Sequence, residues 1–198
     1  MMRFFQDRLL PLCAAMCVIF PLAENRLQAA ETFRLYKRPL LIPERGTVQS
    51  YVLETPDCQF SFLPPPNWVV KENASREEVV MMARDFTTGI RFKILSSKTG
   101  TDGRFDVEDR RRQVFASYPG AKITGEFPCY ASNARGIGFD LERTVGKRLK
   151  IATRLSYIPV PTGWLEFSLT TPSEKLEQHG FAFGNFLTSF RLESISAK

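Results

Sequence analysis

Residues Gly163-Trp-Leu-Glu-Phe-Ser-Leu-Thr-Thr-Pro-Ser-Glu-Lys-Leu-Glu-Gln-His-Gly-Phe-Ala-Phe-Gly-Asn-Phe-Leu-Thr-Ser-Phe190 decide the fold. Two periods meet in this stretch. Apolar and polar side chains alternate from 164 to 170, which puts Leu165, Phe167 and Leu169 on one face of a strand. From 176 the period lengthens to that of a helix: Leu176, Phe183, Leu187 and Phe190 fall on one stripe, with Phe186 beside it. Between the two lies a helix start. Thr171 can cap, Pro172 suits the first turn, and Glu174 stands three residues after Thr171, as in a capping box. Gly180 and Gly184 cost helix propensity, about 1 kcal/mol each relative to Ala, but let the helix approach a sheet closely. The stretch predicts one buried-faced strand and one helix packed back onto its sheet.

Upstream, the same alternation gives a meander. Strands are expected at Lys122–Tyr130, Gly136–Val145 and Leu149–Ile158, with turns at Ser132-Asn133, Gly146-Lys147 and Pro159–Gly163. Ile137, Phe139 and Leu141 face inward on one strand. Leu149, Ile151, Leu155 and Tyr157 share a face of the next. A first helix is expected from about Val107 to Tyr118. Asp106 is its cap, Glu108 and Asp109 stand in its acidic first turn, and Val107, Val114, Phe115 and Tyr118 lie near one face. Pro119-Gly120 stops it. A hairpin is expected before it, with arms Val79–Phe86 and Ile90–Ile94 around Thr87-Thr88-Gly89. Cys58-Gln-Phe-Ser-Phe-Leu63 alternates and halts at Pro64-Pro65-Pro66, after which Trp68 folds back over the core. Val48–Glu54 reads as an edge strand. Residues 31–47, broken by Pro39 and Pro43, read as a flexible arm. Strands, helix, strands, helix, with no internal repeat, make one α+β domain with an antiparallel sheet over residues 48–198.

Hydrophobic residues make up 43% and charged residues 24%, which is ordinary globular material, and 17 Phe imply an aromatic core. The net charge of +6 is spread along the chain, so nucleic acid is disfavoured as a partner and acidic surfaces are the expected contact. Residues 1–30 stand apart. Arg3 and Arg8 precede an apolar run from Leu9 to Ala23, and Leu27-Gln-Ala-Ala30 follows. This is the pattern of a secretory signal peptide cleaved near Ala29 or Ala30, and it implies a periplasmic or secreted protein. An uncleaved anchor is the alternative, although the run is shorter than the ~20 residues of a comfortable span. Loss of the leader leaves Cys58 and Cys129. An even pair in an exported protein suggests one disulfide, with two buried thiols as the alternative.

The order of these features resembles the PsbP-like superfamily over about residues 56–192. The marks are Phe60-Ser-Phe62 running into Pro66-Asn67-Trp68, the helix ending at Tyr118-Pro119-Gly120, and Leu187-Thr-Ser-Phe190 after the Gly163-Trp-Leu strand. The superfamily includes the extrinsic photosystem II protein PsbP, Ran-binding import proteins and many small exported bacterial proteins. The resemblance implies an α/β/α sandwich, a central antiparallel sheet flanked by helices. It implies binding or assembly rather than an activity, and no functional residue carries over from it.

The residues themselves show no catalytic signature and no cofactor motif. His179 is the only histidine, so a multi-histidine metal centre is excluded. Asp102, Asp106, Glu108 and Asp109 do not match the calcium-loop spacing and read as a helix start with solvated charge. The partner-surface candidates are Trp68, beside its rigid proline lip, and the basic runs Arg110-Arg111-Arg112 and Lys147-Arg148-x-Lys150. These could meet a protein or an anionic envelope surface, or they simply keep the domain soluble. The expected function is that of an exported, non-enzymatic binding or accessory protein of an envelope complex. The alternatives are a hydrolase with a carboxylate site and a carrier of a lipid or other hydrophobic ligand between sheet and helix.

Overall fold

The computed structural model describes residues 33–44, 46–56, 58–96, 107–146, 148–160 and 163–194. The expected leader lies outside them. So do Asp102, Asp106 and Lys147.

Alternating, β-branched and aromatic stretches become strands: β1 (Arg34–Ile42), β2 (Gly46–Glu54), β3 (Cys58–Phe62), β4 (Val69–Asn73), β5 (Glu78–Met82) and β6 (Gly89–Ser96). Helix α1 (Val107–Ser117) follows. Then come β7 (Lys122–Ala131), β8 (Ala134–Val145), β9 (Leu149–Val160), β10 (Gly163–Pro172), α2 (Leu176–Ser189) and β11 (Arg191–Ser194). They form a 4-stranded sheet, β1-β2-β3-β11, and a 7-stranded sheet, β4-β5-β6-β10-β9-β8-β7. Every pairing among the described residues is antiparallel. The fold is therefore α+β, dominated by antiparallel sheet.

The meander follows the sequence pattern. Ser132 and Asn133 both have positive φ, 48° and 63°, as the tight hairpin between β7 and β8 requires. Phe139, Leu155, Leu165, Phe167 and Leu169 are fully buried. Two core clusters result. Val114 of α1 packs with Ile137, Phe139, Leu141, Leu155 and Tyr157. Phe183, Phe186 and Leu187 of α2 pack with Phe60, Phe62, Phe92, Phe167 and Phe190. Alternation along β9 keeps them apart, with Leu155 and Tyr157 on one face and Ile158 on the other.

Several expectations are corrected. Residues 34–42, expected within a flexible arm, form β1, which pairs with β2 from Arg34↔Glu54 to Ile42↔Gly46. Pro39 is tolerated because β1 is an edge strand, where a missing N–H breaks no inner ladder. That makes β2 an inner strand rather than an edge. The β5–β6 arm ends at Met82, and Ala83 N–H bonds to Thr88 O at 3.0 Å around a six-residue loop. β4 and β11 had no clear sequence signal. Phe115 is 54% exposed and Leu149 51% exposed, so neither joins the face expected of it.

The helix start also differs. β10 continues through Pro172, a 3₁₀ turn spans Ser173–Lys175, and α2 begins at Leu176 with no side-chain cap. Thr171 does not cap because its hydroxyl is buried against Thr88 Oγ1 at 2.8 Å. A buried hydroxyl bonded to a buried partner outweighs a solvent-exposed cap.

Phe190, directly after α2, has no exposed surface. Its ring lies 5.0 Å from those of Phe92 and Phe167 and 5.4 Å from that of Phe60. Phe190→Ala is expected to lower stability by about 3–5 kcal/mol, read by urea denaturation. An effect under about 1 kcal/mol would show that the two sheets do not depend on this ring.

Glu193 on β11 accepts from Ser61 Oγ at 2.7 Å and from Arg38 Nη2 at 2.9 Å, joining β11 to β3 and β1. The Ser61 hydroxyl first, and then Arg38, hold its carboxyl below the ordinary 4.5. A depressed folded value gives stability that is complete above that ordinary value and is lost as pH falls through the lower one. Amide exchange in β11 should therefore accelerate as pH falls below the ordinary carboxylate value of 4.5, after correction for intrinsic rates. Glu193→Gln should remove that pH dependence.

Candidate functional site

Trp68 stands where the rigid lip predicts. Its backbone N–H closes on Pro65 O at 3.2 Å after Asn67, which adopts φ 66°. The indole is half-buried, packs against the larger core cluster and meets the His179 ring edge to face at 5.9 Å. His179 is thus a packing partner of this aromatic. Trp68 also borders a groove of about 550 Å³ between β1–β2 and β4. Tyr51 and Trp68 give its aromatic wall, and Lys37 and Lys71 its charge; Tyr36 alternates to the other face of β1, where its hydroxyl accepts from Gln59 Nε2 at 3.1 Å. Lys37 Nζ lies 5.8 Å from the Tyr51 ring centre. Leu35 N–H donates to Glu72 Oε2 at 2.7 Å, spanning the gap from one sheet edge to the other. Lys37 and Lys71 carry no site signal in the sequence, because prolines interrupt the pattern of β1 and β4 is short, and Tyr51 reads only as a strand residue.

The arginine run does not present one cationic face. Arg110 lies over the rings of Trp164 and Tyr157, 4.3 and 5.4 Å from their centres, with Nη1 on Gln113 at 2.7 Å. Arg111 bonds Glu108, and its Nη2 reaches Glu126 Oε2 at 2.7 Å. Arg112 pairs with Asp109. Helical spacing explains this: the acids of the first turn stand three residues before Arg111 and Arg112. Arg148 is exposed on the β8–β9 turn, and Lys150 reaches Glu142 at 3.3 Å. The two basic runs therefore belong to different elements.

On the α1 face of the large sheet, Glu78, Lys93, Glu166 and Tyr157 are register partners across β5, β6, β10 and β9. Glu78 is 3% exposed. Asn73 Nδ2 donates to it at 3.1 Å, and Arg91 and Lys93 stand 3.5 and 3.8 Å away. Burial, then the Glu166 carboxylate, push the Tyr157 phenol well above its usual range. Charge alternates along one row of strands, but Glu78 Oε2 has ion-pair neighbours and no hydrogen bond. Each described cavity has at most one carboxylate in its lining: Glu126 in a 590 Å³ cavity beside β7 and β8, Glu72 in the groove, and none in a 260 Å³ cavity under α2. Among the described residues no cluster of three or more His, Cys, Asp or Glu is placed to hold a metal ion.

The expected disulfide is corrected: Cys58 and Cys129 are buried and no bridge joins them. They sit in different sheets, Cys58 on β3 and Cys129 on the edge strand β7, each packed in the core as a small apolar group. Thr55 Oγ1 lies 3.3 Å from Cys58 Sγ. Burial pushes the Cys129 thiol up to about 11, partly offset by the Ser156 hydroxyl. The thiolate is the reactive form. Iodoacetamide at mildly alkaline pH is therefore expected to leave Cys129 unmodified in the folded protein. In concentrated urea without reductant it should alkylate both cysteines. Protection that persists in urea until reductant is added would establish a bridge.

Near Cys129, Arg154 Nε and Nη2 bond Asp140 Oδ1 and Oδ2 at 2.7 and 2.8 Å. The pair is mostly buried, with side-chain exposures of 28% and 17%. Removal of one partner strands a charge. Asp140→Ala should cost about 2–3 kcal/mol by urea denaturation.

No protein-family model matches the chain, and no curated protein does. Solved structures do. Cyanobacterial PsbP (CyanoP) from Synechocystis sp. PCC 6803 superposes with TM-score 0.52 at 16% identity, covering 82% of this chain and 93% of its own. A protein from Bacteroides thetaiotaomicron gives 0.47 at 13% identity, covering 70% of this chain and 47% of its own. LpqN of Mycobacterium tuberculosis, a protein involved in cell envelope biogenesis, gives 0.42 at 9% identity, covering 80% and 91%. The chain has a PsbP-like fold.

Proposed function

We propose that this PsbP-like domain is an exported, non-enzymatic accessory protein that docks on an envelope or membrane-associated complex. The groove between β1–β2 and β4 is its docking surface. The observation that carries the reading is the meeting of Tyr51 and Trp68 with Lys37 and Lys71 in one cleft of about 550 Å³. Tryptophan and tyrosine dominate binding energy at protein interfaces because they offer large rigid areas at low entropic cost. β1 and β4 are edge strands, with backbone donors and acceptors on their outer sides. An extended partner segment can pair with such an edge while its side chains fill the groove. Lys37, Lys71 and the net charge of +6 favour an acidic segment.

Export rests on the leader pattern of residues 1–30. The domain is further taken as an α/β/α sandwich, with α1 and α2 on opposite faces of the large sheet. The division of the core into two clusters supports that arrangement.

Cross-linking and affinity capture from native envelopes, with wild-type protein and Trp68→Ala, test the reading. The wild type is expected to recover a specific acidic partner, and Trp68→Ala to bind it at least about tenfold more weakly while keeping its circular dichroism. Equal capture by a folded Trp68→Ala variant would remove the groove from the proposal. Absence of any specific partner would count against the accessory function itself.

A further inference from the structure

The cavity under α2, about 260 Å³ in volume, lies between that helix and strands β7 and β9, away from the Trp68 groove. Its lining includes Ser156, which has no exposed surface; its hydroxyl stands beside the Cys129 thiol, and its Oγ makes no hydrogen bond within normal limits. A buried hydroxyl left in that state is costly, and a ligand atom would relieve it. The register sets what surrounds the hydroxyl. Ser156 pairs with Gly138 on β8, which offers no side chain to cover it. The Phe127 ring occupies the space over Gly138, where a Cβ would stand 2.3 Å from the ring, and forms one wall.

Arg154 lies two residues before Ser156 and so points to the same face. Its Nε and Nη2 are held by Asp140. Its Nη1 is turned toward α2 at Gly180, where a Cβ would come within 2.9 Å. Fixing two nitrogens orients the guanidinium and leaves the third nitrogen available as an aimed, charged donor. Phe127, Phe183 and Leu187 supply the apolar walls. Gly184 stands at the mouth, where an added Cβ meets nothing within 4 Å. The neighbouring Cys129 is a neutral thiol at neutral pH, so it adds no negative charge against an anionic head.

We propose that this cavity binds a small amphiphilic monocarboxylate, its head on Ser156 Oγ and Arg154 Nη1 and its short aliphatic chain against Phe127, Phe183 and Leu187. The volume lies just below the ~300–1,000 Å³ of pockets for drug-sized ligands, which suits a short chain and excludes a whole phospholipid.

The test is titration of sodium octanoate into the isotope-labelled full chain, followed by NMR. Shifts are expected at Phe183, Gly184 and Leu187. Gly184→Leu should block the mouth and weaken binding by about tenfold or more, with the melting temperature unchanged or raised because glycine is a poor helix former. Ser156→Ala should weaken octanoate about tenfold while leaving the unliganded melting temperature unchanged or higher. Any of four results would overturn the proposal. One is the absence of shifts at millimolar octanoate. A second is the same shifts with acetate at equal concentration, which would mark a site for a free anion only. A third is equal binding of octanol, which would remove the carboxylate from recognition. The last is a lowered melting temperature in Ser156→Ala, which would make the hydroxyl a structural group.

Discussion

The ring of Phe190 is the contact through which the two sheets and α2 become one core. It touches Phe60 and Phe62 from the small sheet, Phe92 and Phe167 from the large sheet, and Phe186 from the helix. The pairs are mainly edge-to-face or tilted, the geometries that the ring quadrupole favours, each adding about 0.5–1.5 kcal/mol beyond area burial. Because Phe190 ends α2, the chain can turn at once into β11 and pair with β3. Packing of one aromatic thus sets where the helix stops and how the small sheet closes.

From that constraint the functional geography follows. The small sheet is held against the large one through β3 and α2, so its outer strand β1 stands beside β4, and the groove at Trp68 is the seam between them. On the other side of α2, glycine at 180 and 184 leaves room above Arg154 and Ser156. Both features lie at the borders of the phenylalanine core, where large rings end and smaller or polar groups begin. A tightly packed interior has few voids of its own, so openings form at such borders.

The arginine run shows why clustered charge in a sequence does not equal a charged surface. Arg110, Arg111 and Arg112 are consecutive, but in a helix consecutive side chains point in different directions. One stacks on Trp164 and Tyr157, one joins Glu108 and Glu126, and one pairs with Asp109. The acids of the helix start, read separately as a capping signal, are the partners of two of them. The cysteines give the same lesson: an even count is compatible with a bridge, but only their placement in two sheets decides between bridge and packed thiols.

The sequence by itself determined the α+β class, the long meander strands and their buried faces, the aromatic stripe of α2 and the turn at Ser132-Asn133. These depend on periodicity and local backbone preference, which are written in neighbouring residues. The resemblance carried by Phe60-Ser-Phe62, Pro66-Asn67-Trp68 and Leu187-Thr-Ser-Phe190 rests on the same local signals. Only the tertiary structure decided that residues 34–42 form a strand, that Thr171 bonds Thr88 instead of capping α2, that β11 exists, and that Ser156 opens into a cavity. Two of these depend on a partner far along the chain, Thr88 for Thr171 and β3 for β11; β1 pairs with the next strand, its pattern hidden by Pro39 and Pro43, and the Ser156 cavity depends on α2 lying over β7 and β9. Long-range pairing leaves no periodic mark on the residues it recruits, so no reading of those residues alone could have placed them.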